Sequence, residues 1–425
     1  MKLCIKNGTV INPNTNFEAK TDLWVEEGKV IHIGEQTAWQ ADETIDATGK
    51  WVVPGLIDLH VHFRAPGFEH KEDIASGAAA AAKGGFTTVC CMPNTKPVID
   101  NECVVEYINA MAAKANGVNV LPIGAITKDQ AGETLADIGK MVAHGICALS
   151  EDGKTVENAG LMKKAMQYAK PFNIPIMSHT EERSLTGGAM NAGENAQLFG
   201  IKGIPREAEE IIVARDILLA KYTGVKLHLC HISTKGSIEI IRFAKMQGIN
   251  VTAETAPHYF TLDDSILGDY DTNKKMSPPL RTKEDVEAMK VAIQEGIIDA
   301  IATDHAPHHY DEKNVEFEAA PFGIVGLETS FAVSHTQLVK SGLISPMTLI
   351  ERMSSTPAKI LGIDKGDISV GKVADITVLD PDVTYTIDPS TFVGKSKNTP
   401  FGGMSVTGDV AYTIVNGRVI YRKNA

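Results

Sequence analysis

The chain of 425 residues lacks the sequence features of membrane, secreted and nucleic-acid-binding proteins. No apolar run approaches the roughly 20 residues needed to span a bilayer, and Met1–Gly8 does not have the form of a signal peptide. The formal net charge is −12, which argues against a nucleic-acid partner because such a partner requires a basic face. We therefore expect a cytoplasmic protein that binds neither membrane nor nucleic acid.

Cysteine is scarce and lacks the spacing of a metal or disulfide motif. None of the six cysteines belongs to a Cys-x-x-Cys pair, and most lie within apolar, strand-like runs. We expect small buried thiols in a reducing compartment. The chain also lacks a Gly-x-Gly-x-x-Gly motif after an early strand, which disfavours a doubly wound sheet.

Both ends of the chain have the residue pattern of β-hairpins. The hairpin segments are Cys4–Ile11 and Thr413–Ile420, each with an Asn-Gly pair, and Leu23–Ile31 with a central Gly; Ala374–Asp380 reads as a further strand. We predict one small β domain built from residues 1–53 and 364–425. Two separate β appendages are the alternative.

Residues 54–363 alternate between strand and helix patterns. The predicted strands are about 56–62, 87–92, 118–124, 146–150, 174–178, 225–231, 249–254 and 298–303. The clearest helical stretches are Lys71–Lys83, Glu102–Ala115, Val156–Lys170, Arg206–Tyr222, Lys283–Glu295, Gly326–Ser341 and Pro346–Ser354. This alternation predicts an α/β protein with a (β/α)8 TIM-like barrel.

Histidines and carboxylates follow five of the predicted strands, at the end where such barrels hold their active sites. His60 and His62 stand two apart, so both point to the same side of an extended strand. The other groups are Asp152 after strand 4, His179 after strand 5, His231 after strand 6 and Asp304 after strand 8. Because one tetrahedral zinc takes four ligands, this larger set predicts two divalent metal ions that share a carboxylate and a hydroxide. Zinc suits the set best, and Mn or Co would also fit.

Paired metals predict a hydrolytic reaction, because they acidify a bridging water and polarise the carbonyl that it attacks. Asp304 is the natural proton carrier, and its structural alternative is a helix N-cap. Glu151 is an alternative to Asp152 as the bridging group. His228 stands three positions before His231, so we expect it to face the opposite side of its strand, toward the helices.

Four motifs resemble the dihydroorotases, in their longer form with a barrel and a β domain, within the cyclic amidohydrolases. The motifs are Asp58-Leu59-His60-Val61-His62-Phe63-Arg64, Met92-Pro93-Asn94-Thr95, Ala302-Thr303-Asp304-His305-Ala306-Pro307-His308 and Pro321–Thr329. The resemblance covers the whole chain, including Gly371–Asp375 near its end. Hydantoinases and allantoinases share the barrel and the His-x-His pair, but the Arg after that pair, the Met-Pro-Asn-Thr turn and the position of His308 favour dihydroorotase.

The resemblance implies the reversible cyclisation of N-carbamoyl-L-aspartate to L-dihydroorotate in pyrimidine biosynthesis, with a small molecule as substrate. It assigns one metal to His60, His62 and Asp304, the other to His179 and His231, and the bridge to Asp152. It assigns contacts with the substrate to Arg64, Asn94 and His308, and Ser277 lies at a position next to the ring. Arg64 also suits this role by its own chemistry, because a guanidinium binds a carboxylate through two hydrogen bonds.

Two positions depart from the family pattern. Asp152 stands where many amidohydrolases of this group have a carboxylated lysine, and Ser277 stands where many relatives have Asn. The second departure weakens the distinction from hydantoinase, which with allantoinase is the main alternative. A catalytically silent scaffold of a transcarbamoylase is a more distant one.

Two partner interactions stay open: a homodimer and an association with aspartate transcarbamoylase. Residues 305–322 follow the last barrel strand and are polar. They form either a mobile lid over the site or an ordinary long loop.

Overall fold

The computed structural model describes residues 1–35 and 39–423, which form two large β-sheets with helices around one of them. Residues 36–38 and 424–425 belong to the predicted terminal domain and lie outside the described residues. The strands are β1 (Lys2–Asn12), β2 (Phe17–Glu26), β3 (Lys29–Ile33), β4 (Glu43–Asp46), β5 (Trp51–Pro54), β6 (Leu56–Val61), β7 (Phe86–Cys91), β8 (Asn119–Ala125), β9 (Ala148–Ser150), β10 (Ile176–Ser178), β11 (Met190–Asn191), β12 (Gly203–Ile204), β13 (Leu227–Leu229), β14 (Val251–Thr255), β15 (Ala300–Ile301), β16 (Ile376–Thr386), β17 (Ser405–Val415) and β18 (Arg418–Arg422).

The α-helices lie mostly between the strands of the second large sheet. They are α1 (Ile74–Lys83), α2 (Glu102–Ala112), α3 (Ile138–Ala143), α4 (Ala159–Ala169), α5 (Glu194–Phe199), α6 (Glu207–Thr223), α7 (Lys235–Met246), α8 (Lys283–Glu295), α9 (Tyr310–Lys313), α10 (Ser330–Ser334), α11 (Pro346–Ile350) and α12 (Thr356–Leu361). Both α10 and α11 run on into one π-helical turn. Among the described residues, no helix combines the length and the apolar character needed to cross a membrane.

Strands β6–β10 and β13–β15 lie side by side in chain order and form a parallel barrel. The residues that follow β15 meet the first strand, because the backbone N–H of His62 donates to the carbonyl of His305 at 2.8 Å and Val61 pairs with His305 in parallel. The predicted (β/α)8 barrel is therefore confirmed. Its strands are buried on both faces, which explains why they read as apolar runs rather than as alternating patterns.

One sheet is built from both ends of the chain, in the order β18-β17-β16-β5-β1-β2-β3, with β4 beside β1. The hairpins β2–β3 and β17–β18 are confirmed. The hairpin predicted at Asn7-Gly8 is wrong, since β1 continues through this pair with a bulge between Ile5 and Gly8. A Cβ atom on Gly8 would lie 2.6 Å from Val52 Cγ2. Glycine is thus required here by the close approach of β5, and not by a turn.

The six cysteines are free thiols, as expected. Cys4, Cys90, Cys91 and Cys230 are buried, whereas Cys103 is exposed and so departs from the expectation. Cys103 lies in the first turn of α2, whereas Cys4, Cys90 and Cys91 lie in strands and Cys230 directly follows β13. Burial raises the pKa of Cys4 to about 11, so this thiol stays protonated at neutral pH.

Candidate metal and substrate site

Nine of the ten predicted site residues line one cavity of about 540 Å³ at the carboxyl end of the barrel. They are His62, Arg64, Asn94, Asp152, His179, His231, Ser277, Asp304 and His308. The tenth, His60, is fully buried and touches the carboxylates of Asp152 and Asp304. The sequence separates these residues by up to 248 positions, and the barrel brings all of them together.

Asp152 lies between the two predicted histidine pairs. Its Oδ2 atom is 2.9 Å from His179 Nδ1 and 3.3 Å from His231 Nε2. The same oxygen is 3.5 Å from His60 Nε2, and Oδ1 is 3.4 Å from His62 Nε2. Both pairs therefore face one carboxylate, which is the arrangement that a bridging ligand requires.

Asp304 lies against the first pair. Its Oδ1 atom lies 3.2 Å from His62 Nε2 and 3.4 Å from His60 Nε2. The backbone φ of Asp304 is +49°, and that of His231 is +39°. Both side chains thus leave their strands through a left-handed turn, a conformation that non-glycine residues rarely adopt and that is concentrated at functional sites.

Three of the histidines are oriented by an acceptor on the far side of the ring. His60 Nδ1 lies 2.9 Å from Glu254 Oε1, and His62 Nδ1 lies 2.8 Å from Asn94 Oδ1. His179 is turned the other way, with Nε2 at 3.1 Å from Glu181 Oε2. In each ring the second nitrogen then points toward Asp152. Such outer acceptors fix the tautomer and the direction of metal-binding histidines.

The site concentrates buried charge of both signs. Burial disfavours the charged form of His179, but Asp152 outweighs it and raises the pKa of His179 to about 10. Burial likewise opposes ionisation of Asp304, yet His60 and His62 lower its pKa to about 2. The pKa of Glu254 falls to about 2 against the effect of burial, because His228 and His60 donate to it. The carboxylates are therefore ionised and require positive partners.

The residues present fit divalent metal ions. Ligand atoms of His60, His62 and Asp304 lie within 4.8 Å of one another, as do those of His60, Asp152 and His231. Among the described residues, the buried Nε2 atom of His60 has no hydrogen-bond partner. His179 Nδ1 and His231 Nε2 approach to 2.8 Å. Imidazole nitrogens and carboxylate oxygens in this proportion are the ligands of zinc and its neighbours.

The predicted substrate residues form the rim of the cavity. Arg64 Nε donates to the carbonyl of Pro307 at 3.1 Å, and Arg64 Nη2 lies 3.5 Å from His308 Nε2. Burial lowers the pKa of Arg64 to about 10, so the guanidinium remains cationic at neutral pH. Ser277 Oγ donates to Glu181 Oε1 at 3.0 Å. The rim thus presents a cation and polar groups to the cavity.

The structure separates the two acidic residues that the sequence left open as the bridge. The carboxylate of Glu151 accepts hydrogen bonds from the backbone N–H groups of Ile126 at 3.1 Å and Thr127 at 3.0 Å. It therefore faces the end of β8, whereas Asp152 faces the histidines.

The expectation for His228 is wrong. Its Nε2 atom lies 3.0 Å from Glu254 Oε2, beneath His60. The regular alternation of side chains ends with β13 at Leu229. Beyond it, the positive φ of His231 turns that side chain into the site. The three-residue spacing between His228 and His231 therefore does not place them on opposite sides of the strand.

Glu254 and Glu181 are site residues that the sequence reasoning missed. Glu254 is the one acidic residue in the otherwise apolar or Thr-containing β14, and Glu181 repeats the two-residue spacing after His179. Both signals are present in the sequence, but a lone glutamate on a strand does not by itself indicate which side chain it contacts.

The segment 305–322 is packed against its neighbours. Lys313 Nζ donates to the carbonyls of Thr272 at 2.9 Å and Pro321 at 2.8 Å. Lys275 Nζ donates to the carbonyl of Phe317 at 2.8 Å. These residues thus form a loop that hydrogen bonds hold against its neighbours and that contains the short helix α9. Movement of this loop as a lid stays a prediction.

Comparisons with known proteins show the family of this chain and agree with its fold. A family model described as dihydro-orotase-like matches residues 49–237, and one described as amidohydrolase family matches residues 325–421. The dihydroorotase of Geobacter metallireducens is 52% identical over 425 residues, covering 100% of both chains. The dihydroorotase of Caldanaerobacter subterraneus is 50% identical over 425 residues, covering 100% of this chain and 98% of the relative.

The chain belongs to the dihydroorotase family. It is therefore a hydrolase of the amidohydrolase type, and both the family and the donor set indicate binding of divalent metal.

Solved structures give the same architecture. The L-hydantoinase (dihydropyrimidinase) of Arthrobacter aurescens has a TM-score of 0.90 at 27% identity and covers 100% of this chain and 96% of its own. The dihydropyrimidinase of Brevibacillus agri has a TM-score of 0.85 at 26% identity, with 99% and 95% covered. The barrel and its β-sheet domain are thus shared with hydantoinases, whereas the sequence identity to dihydroorotases is almost twice as high.

Proposed function

We propose that this protein catalyses the reversible ring closure of N-carbamoyl-L-aspartate to L-dihydroorotate in de novo pyrimidine biosynthesis. The observation that carries the proposal is the identity of 52% over the full length to a dihydroorotase. The cavity supports it, because it is lined both by Arg64 and His308 and by the histidine and carboxylate cluster. A ring that carries one carboxylate and one amide to be cleaved suits a cavity with both kinds of group.

We further propose two divalent metal ions, with zinc as the first choice. His60, His62 and Asp304 would hold one ion, His179 and His231 the other, and Asp152 both. Bound ions would acidify a water molecule and polarise the carbonyl that this water attacks. The group of His60, His62 and Asp304 supports the first ion. The second is supported by Asp152 Oδ2, which lies 2.9 Å from His179 Nδ1 and 3.3 Å from His231 Nε2.

Asp304 moves the proton. In ring opening, its carboxylate takes a proton from the attacking water and gives it to the leaving ring nitrogen, and ring closure reverses both transfers. Arg64 binds the carboxylate of the substrate through two hydrogen bonds, next to His308 and Asn94. Ser277 lies against the ring. Asn94 also orients His62, because its Oδ1 atom forms a hydrogen bond with Nδ1 of that ring.

The test is a parallel assay of the metal-loaded protein with dihydroorotate, hydantoin and allantoin. We expect kcat/KM for dihydroorotate to exceed the others by about 100-fold or more, because a site that binds a carboxylate leaves its cation unpaired with a substrate that lacks one. Efficient turnover of hydantoin without turnover of dihydroorotate contradicts the proposal.

A hydantoinase or allantoinase is the second candidate. It is favoured by the TM-score of 0.90 to an L-hydantoinase and by Ser277. The Arg64→Ala variant separates the two, because the loss of the carboxylate partner should affect dihydroorotate and leave hydantoin unaffected. A silent scaffold of a transcarbamoylase is disfavoured, since all six ligand side chains are present.

We further propose a cytoplasmic location, a homodimer, an association with aspartate transcarbamoylase, and a division of the chain into a terminal domain (residues 1–53 and 364–425) and a barrel domain (residues 54–363). Sedimentation of the purified protein, alone and mixed with aspartate transcarbamoylase, tests the two assemblies.

A further inference from the structure

A segment of the terminal region contacts the loops at the carboxyl end of the barrel. Residues 393–399 connect β16 to β17, yet they bond to the loop that precedes α1. Lys395 Nζ donates to the carbonyl of Glu69 at 2.8 Å, and Ser396 Oγ donates to the carbonyl of Lys71 at 2.8 Å. The sheet built from both chain ends therefore reaches the edge of the site through this segment.

Asn398 is the residue of this segment that contacts the loop carrying the site residues. Its side chain is 4% exposed. The amide nitrogen donates to the carbonyls of Ala306 at 3.2 Å and Gly323 at 3.0 Å, and the amide oxygen accepts the backbone N–H of His308 at 3.1 Å. One side chain thus joins both arms of the loop that starts at Asp304.

The three bonded residues all line the cavity. The loop is tightly packed there, since a Cβ atom on Gly323 would lie 2.8 Å from Ala306 Cβ and 3.0 Å from His308 Nε2. A shift of the arm that contains His308 also moves the carbonyl of Pro307, which accepts Arg64 Nε. The position of Asn398 is thereby coupled to both groups that face the substrate carboxylate.

We propose that Asn398 is a positioning residue that sets His308 and Arg64 for binding of the substrate carboxylate. This inference rests on the proposed function. Asn398 touches none of the six metal-binding side chains by hydrogen bonds, so its effect should fall on substrate affinity and leave metal content unchanged. A buried amide with three hydrogen bonds also contributes to the stability of the fold, and the experiment must separate that contribution from the positioning role.

The matched control is Asn12, in the same terminal sheet. Its side chain is 1% exposed, and its amide nitrogen donates to Asp367 Oδ1 at 2.9 Å and Ser369 Oγ at 3.1 Å. Asn12→Ala and Asn398→Ala both remove a buried amide with two donated hydrogen bonds. Both changes should lower stability. Asn398→Ala should lower it more, because it also removes the acceptor of the His308 N–H, whereas Asp367 still accepts hydrogen bonds from Ser369.

The experiment measures KM and kcat for dihydroorotate, the melting temperature and the metal content of both variants. We expect Asn398→Ala to raise KM about 10-fold to 100-fold, because small displacements of binding groups have effects of this size, with metal content as in the wild type. Asn12→Ala should keep the wild-type KM. Asn398→Ser, which retains a hydroxyl at this position, should recover part of the affinity and serves also if the alanine variant does not fold.

An Asn398→Ala variant with the wild-type KM overturns the inference, as does an equal rise of KM in Asn12→Ala; if the alanine variant does not fold, a wild-type KM in Asn398→Ser overturns it. Loss of metal in the Asn398 variants also overturns it, because the effect would then act through the ligands. Failure of the proposed function gives a different result, since the wild type itself would then not turn over dihydroorotate.

Discussion

The floor and the rim of the cavity are built in different ways. The rim is formed by the predicted substrate residues, and the floor by the six predicted metal ligands together with Glu254. On the floor, ions hold ions: Glu254 holds His60, and Asp152 lies against His179 and His231. On the rim, main-chain carbonyls hold Arg64 and His308: the carbonyl of Pro307 accepts a hydrogen bond from Arg64 Nε, and that of Phe322 accepts one from His308 Nε2 at 2.9 Å. Removing one buried ion leaves its partners uncompensated, whereas removing Arg64 or His308 removes a group that faces the substrate. Substitution of a metal-ligand side chain should therefore abolish metal binding and catalysis, and substitution of Arg64 or His308 should weaken substrate binding.

Asp152→Asn should have the largest effect. The amide removes the charge that faces both histidine pairs, so we expect loss of bound metal and a fall in kcat/KM of about 10³-fold or more. Elemental analysis and steady-state kinetics measure both. The matched control is Glu151→Gln, whose carboxylate bonds to the backbone of Ile126 and Thr127; it should keep the metal. An Asp152→Asn protein with full metal and activity contradicts the distinction.

Arg64→Ala tests the rim. We expect KM for dihydroorotate to rise about 100-fold with a small change in kcat, because the guanidinium binds the substrate carboxylate before and during the reaction. The KM of Arg64→Lys should lie between those of the wild type and Arg64→Ala, since lysine keeps the charge and loses the paired donors. If kcat falls while KM stays constant, Arg64 belongs functionally with the floor.

Glu254→Gln tests the outer support of the floor. The neutral amide holds His60 less firmly, and we expect metal affinity to fall about 10-fold to 100-fold, as is typical for such partners. Competition with a chelator measures the affinity, and excess metal should restore most of the activity. An unchanged affinity would show that the contact between Glu254 and His60 does not orient the ligand.

Most residues of the floor and the rim could be predicted from the sequence. The residues that could not be predicted share a physical cause. His60, His62 and the other strand-end groups follow short apolar runs, so the period of two and the barrel rule place them together. Glu254 was missed because its partners, His60 and His228, are distant in sequence. Asn398 was missed for the same reason, since nothing local in residues 393–399 indicates the loop that it contacts.

Local rules also failed where the backbone departs from regular geometry. Asn7-Gly8 has the composition of a turn, but the approach of β5 uses the glycine within a continuous strand. His228 was assigned to the wrong side because the positive φ at His231 breaks the alternation. Side-chain periodicity holds only within a regular strand.

Lys313→Met should have the smallest effect of these substitutions, and the effect should be on the stability of the fold. Burial, reinforced by Lys275, lowers the pKa of Lys313 to about 7, below the ordinary value of about 10.4 for the unfolded chain. The unfolded state therefore binds more protons between these pH values, and this lysine makes the wild type more stable as pH rises from about 7 to 10. The stability difference between Lys313→Met and the wild type, from urea unfolding at pH 7, 8 and 9, should change in favour of the wild type with rising pH. A constant difference contradicts the assignment.

Anomalous diffraction at the zinc edge from crystals of the zinc-loaded protein tests the central claim most directly. The account predicts two peaks, one bonded to His60, His62 and Asp304 and the other to His179 and His231, with Asp152 bonded to both. A single peak, or peaks bound to other side chains in an active crystal, would contradict it.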